Sequence, residues 1–195
     1  MFRLLVVLCL FVLAFPRAGG AADKILWLEA PFAPFLIHDG PYKGQGYGDV
    51  VSDIITSNLN NYNSERVVAS ISRHFHMFEE KDNVCTVGLY KTKDREKILH
   101  FSIPSFFTLP NVIVINKERY SDFGGKGVLS LTEVLKDGKF VIGISVKRSH
   151  GQVIDDLIKQ YGSENNIYSF EGEALSVNLF EMLKLGRVDG LIGLP

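Results

Sequence analysis

The chain has 195 residues, of which 46% are hydrophobic, and it carries 21 Lys and Arg against 22 Asp and Glu. The apolar content is too high and the net charge of −1 too small for intrinsic disorder. A pI near 6.5 without a basic stripe argues against a nucleic-acid partner. Two cysteines cannot build a disulfide scaffold. The length allows one large globular domain or two small lobes, and either could bury a core.

The first 22 residues have the order of a secretory signal peptide. A short basic start precedes an apolar run over residues 4–15, and a stretch of small residues ends at Ala22. The run is shorter than the ~20 residues that a helix needs to cross a bilayer. We therefore predict export with cleavage after Ala21 or Ala22, which leaves a soluble chain with one thiol, Cys85. A retained signal anchor is the alternative.

Strand-like and helix-like segments alternate along the rest of the chain, with Gly and Pro between them. The predicted strands are residues 24–28, 66–71, 84–89, 111–116, 140–145, 167–170 and 190–192. The predicted helices are residues 49–59, with Asp49 as N-cap, 131–135, 153–161 and 177–185, with a short helix or turn at 75–79. This alternation predicts parallel βαβ units and an α/β fold.

Arg95 is a candidate anion-binding residue. It lies between the predicted strand 84–89 and the segment 101–104. A guanidinium just beyond the end of a strand suits a bidentate grip on a carboxylate or another oxyanion. The alternative is a solvated surface arginine that pairs with Asp94 or Glu96.

A second candidate anion site precedes the predicted helix 153–161. Ser149 and His150 stand just before this helix, where free backbone N–H groups and the positive end of the helix dipole favour an anion. Lys147 and Arg148 add positive charge beside them. Plain capping of the helix by Ser149 is the alternative, and the two interpretations are compatible.

The loop after the first strand is rich in aromatic residues and proline. Loops at the carboxyl ends of parallel strands are where α/β folds bind ligands. Phe32 offers a flat face for stacking, and Glu29 offers a carboxylate for a cation. The alternative is ordinary loop packing with one solvated charge.

Other motifs point to no cofactor. His74, His76 and Cys85 could face a metal together if the histidines lay on a strand, but their spacing fits no common structural zinc signature. We therefore expect no metal site, and we interpret Cys85 as an inert thiol. The glycines of residues 44–48 lack the spacing of a dinucleotide motif and are interpreted as a flexible turn.

The order of the segments resembles the periplasmic solute-binding proteins of family 3, the polar-amino-acid type that feeds ABC importers, as a divergent branch. Six motifs carry the resemblance: Phe32-Ala33-Pro34-Phe35, Gly46-Tyr47-Gly48-Asp49-Val50, Thr92-Lys93-Asp94-Arg95, Phe101-Ser102-Ile103-Pro104, Ser149-His150 and Gly186-Arg187-Val188-Asp189-Gly190. The resemblance implies a two-lobed type II periplasmic-binding fold, with lobe 1 at residues 23–111 and lobe 2 at 112–195. It also implies a C-terminal return to lobe 1, which is missing after Pro195.

The resemblance implies roles for individual residues. Arg95 would hold the ligand carboxylate, Ser149 and His150 would reach the same carboxylate, Phe32 would stack on the ligand, and Glu29 would face its amino end. Arg148 is a further second-lobe anchor, and Arg73, near the end of an early strand, is a candidate cleft residue.

Three departures from the family pattern bear on the ligand. Tyr90 stands where the family has Ser or Thr, and it remains a candidate contact. His150 replaces a Thr hydroxyl, and the acidic residue that pairs with an α-amino group falls at or near Leu194. Carboxylate recognition is therefore expected, whereas the resemblance does not supply α-amino recognition.

We thus predict a monomeric periplasmic protein that captures a small carboxylate-bearing, amino-acid-like solute between its lobes. The closed form would be presented to an ABC permease. The sensor domain of a membrane receptor is an alternative of another class. An enzyme that resembles cyclohexadienyl dehydratase would need Glu29 and His150 as an acid–base pair, and we expect no catalysis.

Overall fold

The computed structural model describes residues 23–171 and 175–193. The predicted signal peptide and the position at Leu194 lie outside the described residues. Within them, no helix has both the length and the apolar character that a membrane span requires. The described chain forms two β-sheets, one of three strands and one of four.

The first sheet is parallel, with its strands in the order β2-β1-β3. Along the chain its elements are β1 Asp23–Glu29, α1 Tyr47–Ser57, β2 Tyr62–Val68, α2 Ile71–Glu80 and β3 Val84–Thr86. The central strand β1 carries the buried Trp27 and Leu28, as expected for a strand that has a neighbour on either side. A short 3-10 turn, Arg95–Lys97, follows β3.

Phe35 anchors the long loop between β1 and α1, and only 9% of the residue is exposed. A Cβ atom on Gly48 would lie 2.4 Å from this ring, and one on Gly88 would lie 2.2 Å from it. The glycines of residues 44–48 are therefore not merely a flexible turn, because Gly48 is needed for the close approach of Phe35.

Asp49 does not occupy the N-cap position that the sequence predicts. The helix α1 begins two residues earlier, and Gly46 is its N-cap. The buried Asp49 carboxylate accepts hydrogen bonds from the backbone N–H groups of Gly46, at 2.8 Å, and of Ile37, at 3.1 Å. Asp49 thus supplies the acidic half of a capping box and ties the loop to the helix.

The second sheet has its strands in the order β4-β7-β5-β6. Along the chain its elements are β4 Val112–Ile115, α3 Leu131–Asp137, β5 Ile142–Ser145, α4 Gln152–Tyr161, β6 Ile167–Phe170, α5 Leu175–Lys184 and β7 Gly190–Gly193. β5 is parallel to both β6 and β7, whereas β4 is antiparallel to β7. The expectation of parallel pairing alone is therefore wrong for β4, because β4 enters this sheet from the first sheet and not from a βαβ crossover.

Apolar side chains cover the second sheet in two buried clusters. One cluster is formed by Phe123, Val134, Leu135, Phe140, Ile142 and Ile192. The other is formed by Leu179, Leu183, Val188 and Leu191. The carboxylate of Asp189 fixes the start of β7, because it accepts the backbone N–H of Val141 at 2.7 Å and contacts the Arg119 guanidinium.

The segment 62–80 differs from the prediction. The strand ends at Val68, and α2 begins at Ile71 after the N-cap Ser70, so the predicted strand over residues 66–71 runs too far. Ser70 accepts a hydrogen bond from a backbone N–H of the first helical turn, which starts the helix there. His74 and His76 therefore lie on a helix, and the same-face geometry that a strand would give them does not apply.

Candidate functional site

An open cleft of about 470 Å³ lies between segments that belong to the two sheets. Helix α2 and the segment after β3 supply one side, and the connection from β5 to α4 supplies the other. The cleft is lined by Phe75, Glu79, Thr92, Asp94, Arg95, Lys147, Arg148, Ser149 and Asp155.

Arg95 crosses this cleft from the first side to the second. It is 8% exposed, and it donates hydrogen bonds to the carbonyl oxygens of Tyr90, at 2.8 Å, and of Lys147, at 3.0 Å. Its guanidinium carbon lies 5.2 Å from the centre of the Phe75 ring. Burial lowers the pKa of Arg95, and the charge of Asp155 acts in the opposite direction.

The surface alternative for Arg95 is wrong. The two acidic neighbours that the sequence offers as partners pair with lysines instead, Asp94 with Lys97 and Glu96 with Lys91. No carboxylate of the described residues lies within ion-pairing distance of the Arg95 guanidinium. Arg95 is thus a buried cation held in place by backbone carbonyls.

Arg148 is a second cation in the cleft. Its guanidinium carbon lies 3.8 Å from the centre of the Phe32 ring, a close cation–π contact. Burial lowers the pKa of Arg148 to about 10, although Tyr90 and Tyr47 favour the charged form, so the side chain stays protonated at neutral pH. Among the described residues, its guanidinium has no hydrogen-bond acceptor and no acidic partner. One face of the Phe32 ring, which we expected to stack on a ligand, therefore carries Arg148.

The donors at the start of α4 already hold a carboxylate. The Ser149 hydroxyl donates to Asp155 Oδ2, and the backbone N–H of His150 donates to Asp155 Oδ1 at 2.8 Å. The N-cap of α4 is Gly151, so Ser149 is not the capping residue. Its hydroxyl instead accepts the Gly151 N–H at 3.0 Å.

Sequence reasoning missed Asp155, although one signal pointed to it. Acidic residues in the first turn of a helix are stabilised by its positive end, and Asp155 is the acidic residue of that turn in α4. The sequence does not distinguish its role from that of the adjacent Asp156, which accepts a hydrogen bond from Gln152 on the exposed side.

The imidazole of His150 is buried rather than presented to the cleft, with 3% of the residue exposed. Neither ring nitrogen has a hydrogen-bond partner among the described residues. Burial and the charge of Arg148 lower the pKa of His150 to about 4, while Asp155 acts in the opposite direction. The ring is therefore neutral at pH 7.

The remaining candidates do not line the cleft. Glu29 is buried at the end of β1, where it faces Arg66 at 3.4 Å and His38 at 3.8 Å, and burial raises its pKa. Arg73 is an exposed residue of α2 and not the end of a strand. Tyr90 acts through its carbonyl oxygen, while its hydroxyl lies 3.3 Å from that of Thr108.

Solved structures of similar fold provide a comparison. An ancestral arginine-binding protein bound to arginine superposes with a TM-score of 0.60 at 21% identity, covering 89% of this chain and 70% of that one. An arginine-specific periplasmic binding protein of Salmonella typhimurium gives a TM-score of 0.61 at 18% identity, covering 89% and 70%.

This chain has the two-lobed type II periplasmic-binding fold. An ancestral amino acid-binding protein, described as a precursor of cyclohexadienyl dehydratase, shares this periplasmic-binding fold, with a TM-score of 0.62 at 15% identity and coverage of 88% and 70%. At such low identity the likeness extends to the fold alone. No model of a known protein family matches the sequence, and no curated protein matches it either.

Proposed function

We propose that this protein binds a small carboxylate-bearing, amino-acid-like solute in the cleft and that Arg148 holds the solute's carboxylate. The observation that carries the proposal is the Arg148 guanidinium itself, which is stacked on Phe32 in a half-buried position without an acidic partner among the described residues. A desolvated charge is costly unless it is paired. A bound anion would supply the missing partner.

Arg95 is the second cation of the proposed site. Its contacts with two carbonyl oxygens fix the guanidinium but provide no neutralising charge. A guanidinium has five N–H donors, so donors remain for a ligand oxygen. Because Arg95 belongs to the first side of the cleft and Arg148 to the second, an anion that contacts both favours the closed arrangement of the lobes.

We extend the proposal to the cellular role. The comparison structures include a protein described as periplasmic and proteins described as binding arginine or glutamine, which supports an extracytoplasmic solute-binding role. Delivery to an ABC permease, with the protein exported as a monomer, is the role we propose. Sensing by a membrane receptor is the alternative. The acid–base pair of an enzyme receives no support, because Glu29 faces Arg66 whereas the His150 ring lies beside Arg148.

The test is a binding screen on the purified protein. Amino acids, including L-arginine and L-glutamine, and dicarboxylates such as succinate and glutarate are first compared by thermal shift, because a ligand that binds the folded state raises the melting temperature. Hits are then measured by calorimetry on the wild type, on Arg148→Met and on Arg187→Met, an exposed arginine that serves as the control.

A charge-assisted hydrogen bond contributes about 1.5–3 kcal/mol, so Arg148→Met is expected to weaken carboxylate binding roughly 10- to 100-fold. Arg187→Met should leave the affinity unchanged. Equal affinities of the two variants for every hit would refute the role of Arg148. A screen in which only uncharged compounds bind would refute the carboxylate class.

A further inference from the structure

Two donors that attract an anion stand at the start of α4, and a cation lies in the same cleft. The Ser149 hydroxyl and the His150 backbone N–H point to one place, and the guanidinium of Arg95 lines the same cleft. In the described structure, both donors serve the two oxygens of Asp155, one donor to each oxygen. The side chain of Asp155 therefore stands where a carboxylate from solution would otherwise bind.

We infer that Asp155 is a specificity-determining residue, whose carboxylate fills the anion-binding donors at the start of α4 and excludes a ligand carboxylate from them. The inference rests on the proposed function, because it leaves Arg148 as the group that receives the solute's carboxylate. A second carboxylate at the start of α4 would need the same two donors and would meet the like charge of Asp155. Repulsion of this kind is a common source of specificity.

The neighbouring aspartate, Asp156, provides a matched comparison for Asp155. Asp156 is exposed and accepts a hydrogen bond from the Gln152 side chain at 2.8 Å, so it reaches neither Ser149 nor the His150 N–H. The two neighbouring carboxylates therefore have different surroundings on one helix. Removing Asp155 should free the anion-binding donors, whereas removing Asp156 should not.

Acetate tests the inference directly, because it carries the carboxylate that Asp155→Ala deletes. Melting temperatures of the wild type, Asp155→Ala and Asp156→Ala are measured against acetate at constant ionic strength, with acetamide as the uncharged analogue. Asp155→Ala is expected to gain a saturable rise, roughly 3–6 °C at ten times the dissociation constant, beyond that of the other two proteins. Acetamide should give no such rise.

The inference is overturned if acetate stabilises Asp155→Ala no more than it stabilises Asp156→Ala and the wild type, or if acetamide acts as well as acetate. If Asp155→Ala folds only when acetate is present, circular dichroism records that dependence, which supports the inference. If it does not fold at all, Asp155→Ser, which also lacks the charge and keeps a small side chain, enters the same titration. Failure of the proposed function appears elsewhere, as unchanged solute binding by Arg148→Met.

Discussion

The buried imidazole of His150 should make the protein less stable in acid. Burial and Arg148 lower its pKa from 6.5 to about 4, so the folded protein keeps the ring neutral where the unfolded chain protonates it. This contribution to stability is therefore fully present above pH 6.5 and is lost as the pH falls toward 4. A difference of about 2.5 between the two pKa values corresponds to about 3 kcal/mol of unfolding free energy.

Urea unfolding between pH 7 and pH 4.5 measures this loss. His150→Met removes the titrating ring. Over that pH range its unfolding free energy is expected to fall by about 2–3 kcal/mol less than that of the wild type. His74, whose pKa burial also lowers to about 4, contributes equally to both proteins and cancels in the comparison. The exposed His100, changed to Met, is the control and should follow the wild type. Parallel curves for His150→Met and the wild type would refute the reasoning.

Two further predictions concern stability. Gly88→Ala adds a methyl group 2.2 Å from the Phe35 ring at a φ of +79°, so it should reduce the unfolding free energy by about 1–3 kcal/mol and lower the melting temperature. Gly127→Ala, with open space around it, should not lower the melting temperature. Equal melting temperatures of the two variants would contradict this packing. Asp189→Ala leaves the backbone N–H of Val141 without its acceptor and should reduce the unfolding free energy in urea by about 1–3 kcal/mol. Asp122→Ala removes only an exposed contact to Arg119 and should reduce it by less than about 0.5 kcal/mol. Similar losses for the two aspartates would show that the hydrogen bond from Val141 to Asp189 contributes little.

The regular elements of the fold were largely predictable because their signals are local. The helix predicted over residues 153–161 is observed as Gln152–Tyr161, since apolar residues recur at helical spacing on one of its faces. The direction of β4 was not predictable. Its sequence VIVI identifies a strand but carries no information on whether the partner strand runs parallel or antiparallel.

The candidate site was predictable only in part. Arg95, Arg148 and Ser149 line the cleft, and each lies in a segment that follows the carboxyl end of a strand, a kind of position that is visible in the sequence. Their partners are not visible there. That Phe32 stacks on Arg148, and that Asp155 rather than Asp156 binds Ser149, depends on contacts between distant segments and on the facing of one helix.

Those partners change what the sequence motifs mean for recognition. By motif alone, Ser149 and His150 would bind the solute's carboxylate and Phe32 would stack on the solute. In the structure these groups serve Asp155 and Arg148 instead. Asp155 occupies the donors at the start of α4, and Arg148, on the ring of Phe32, has no acidic partner among the described residues. We therefore place the proposed anion site at Arg148 and not at the start of α4. Since a solute carboxylate at Arg148 would lie in the same cleft as the negative charge of Asp155, solutes that also carry a positive group should bind more tightly than simple anions.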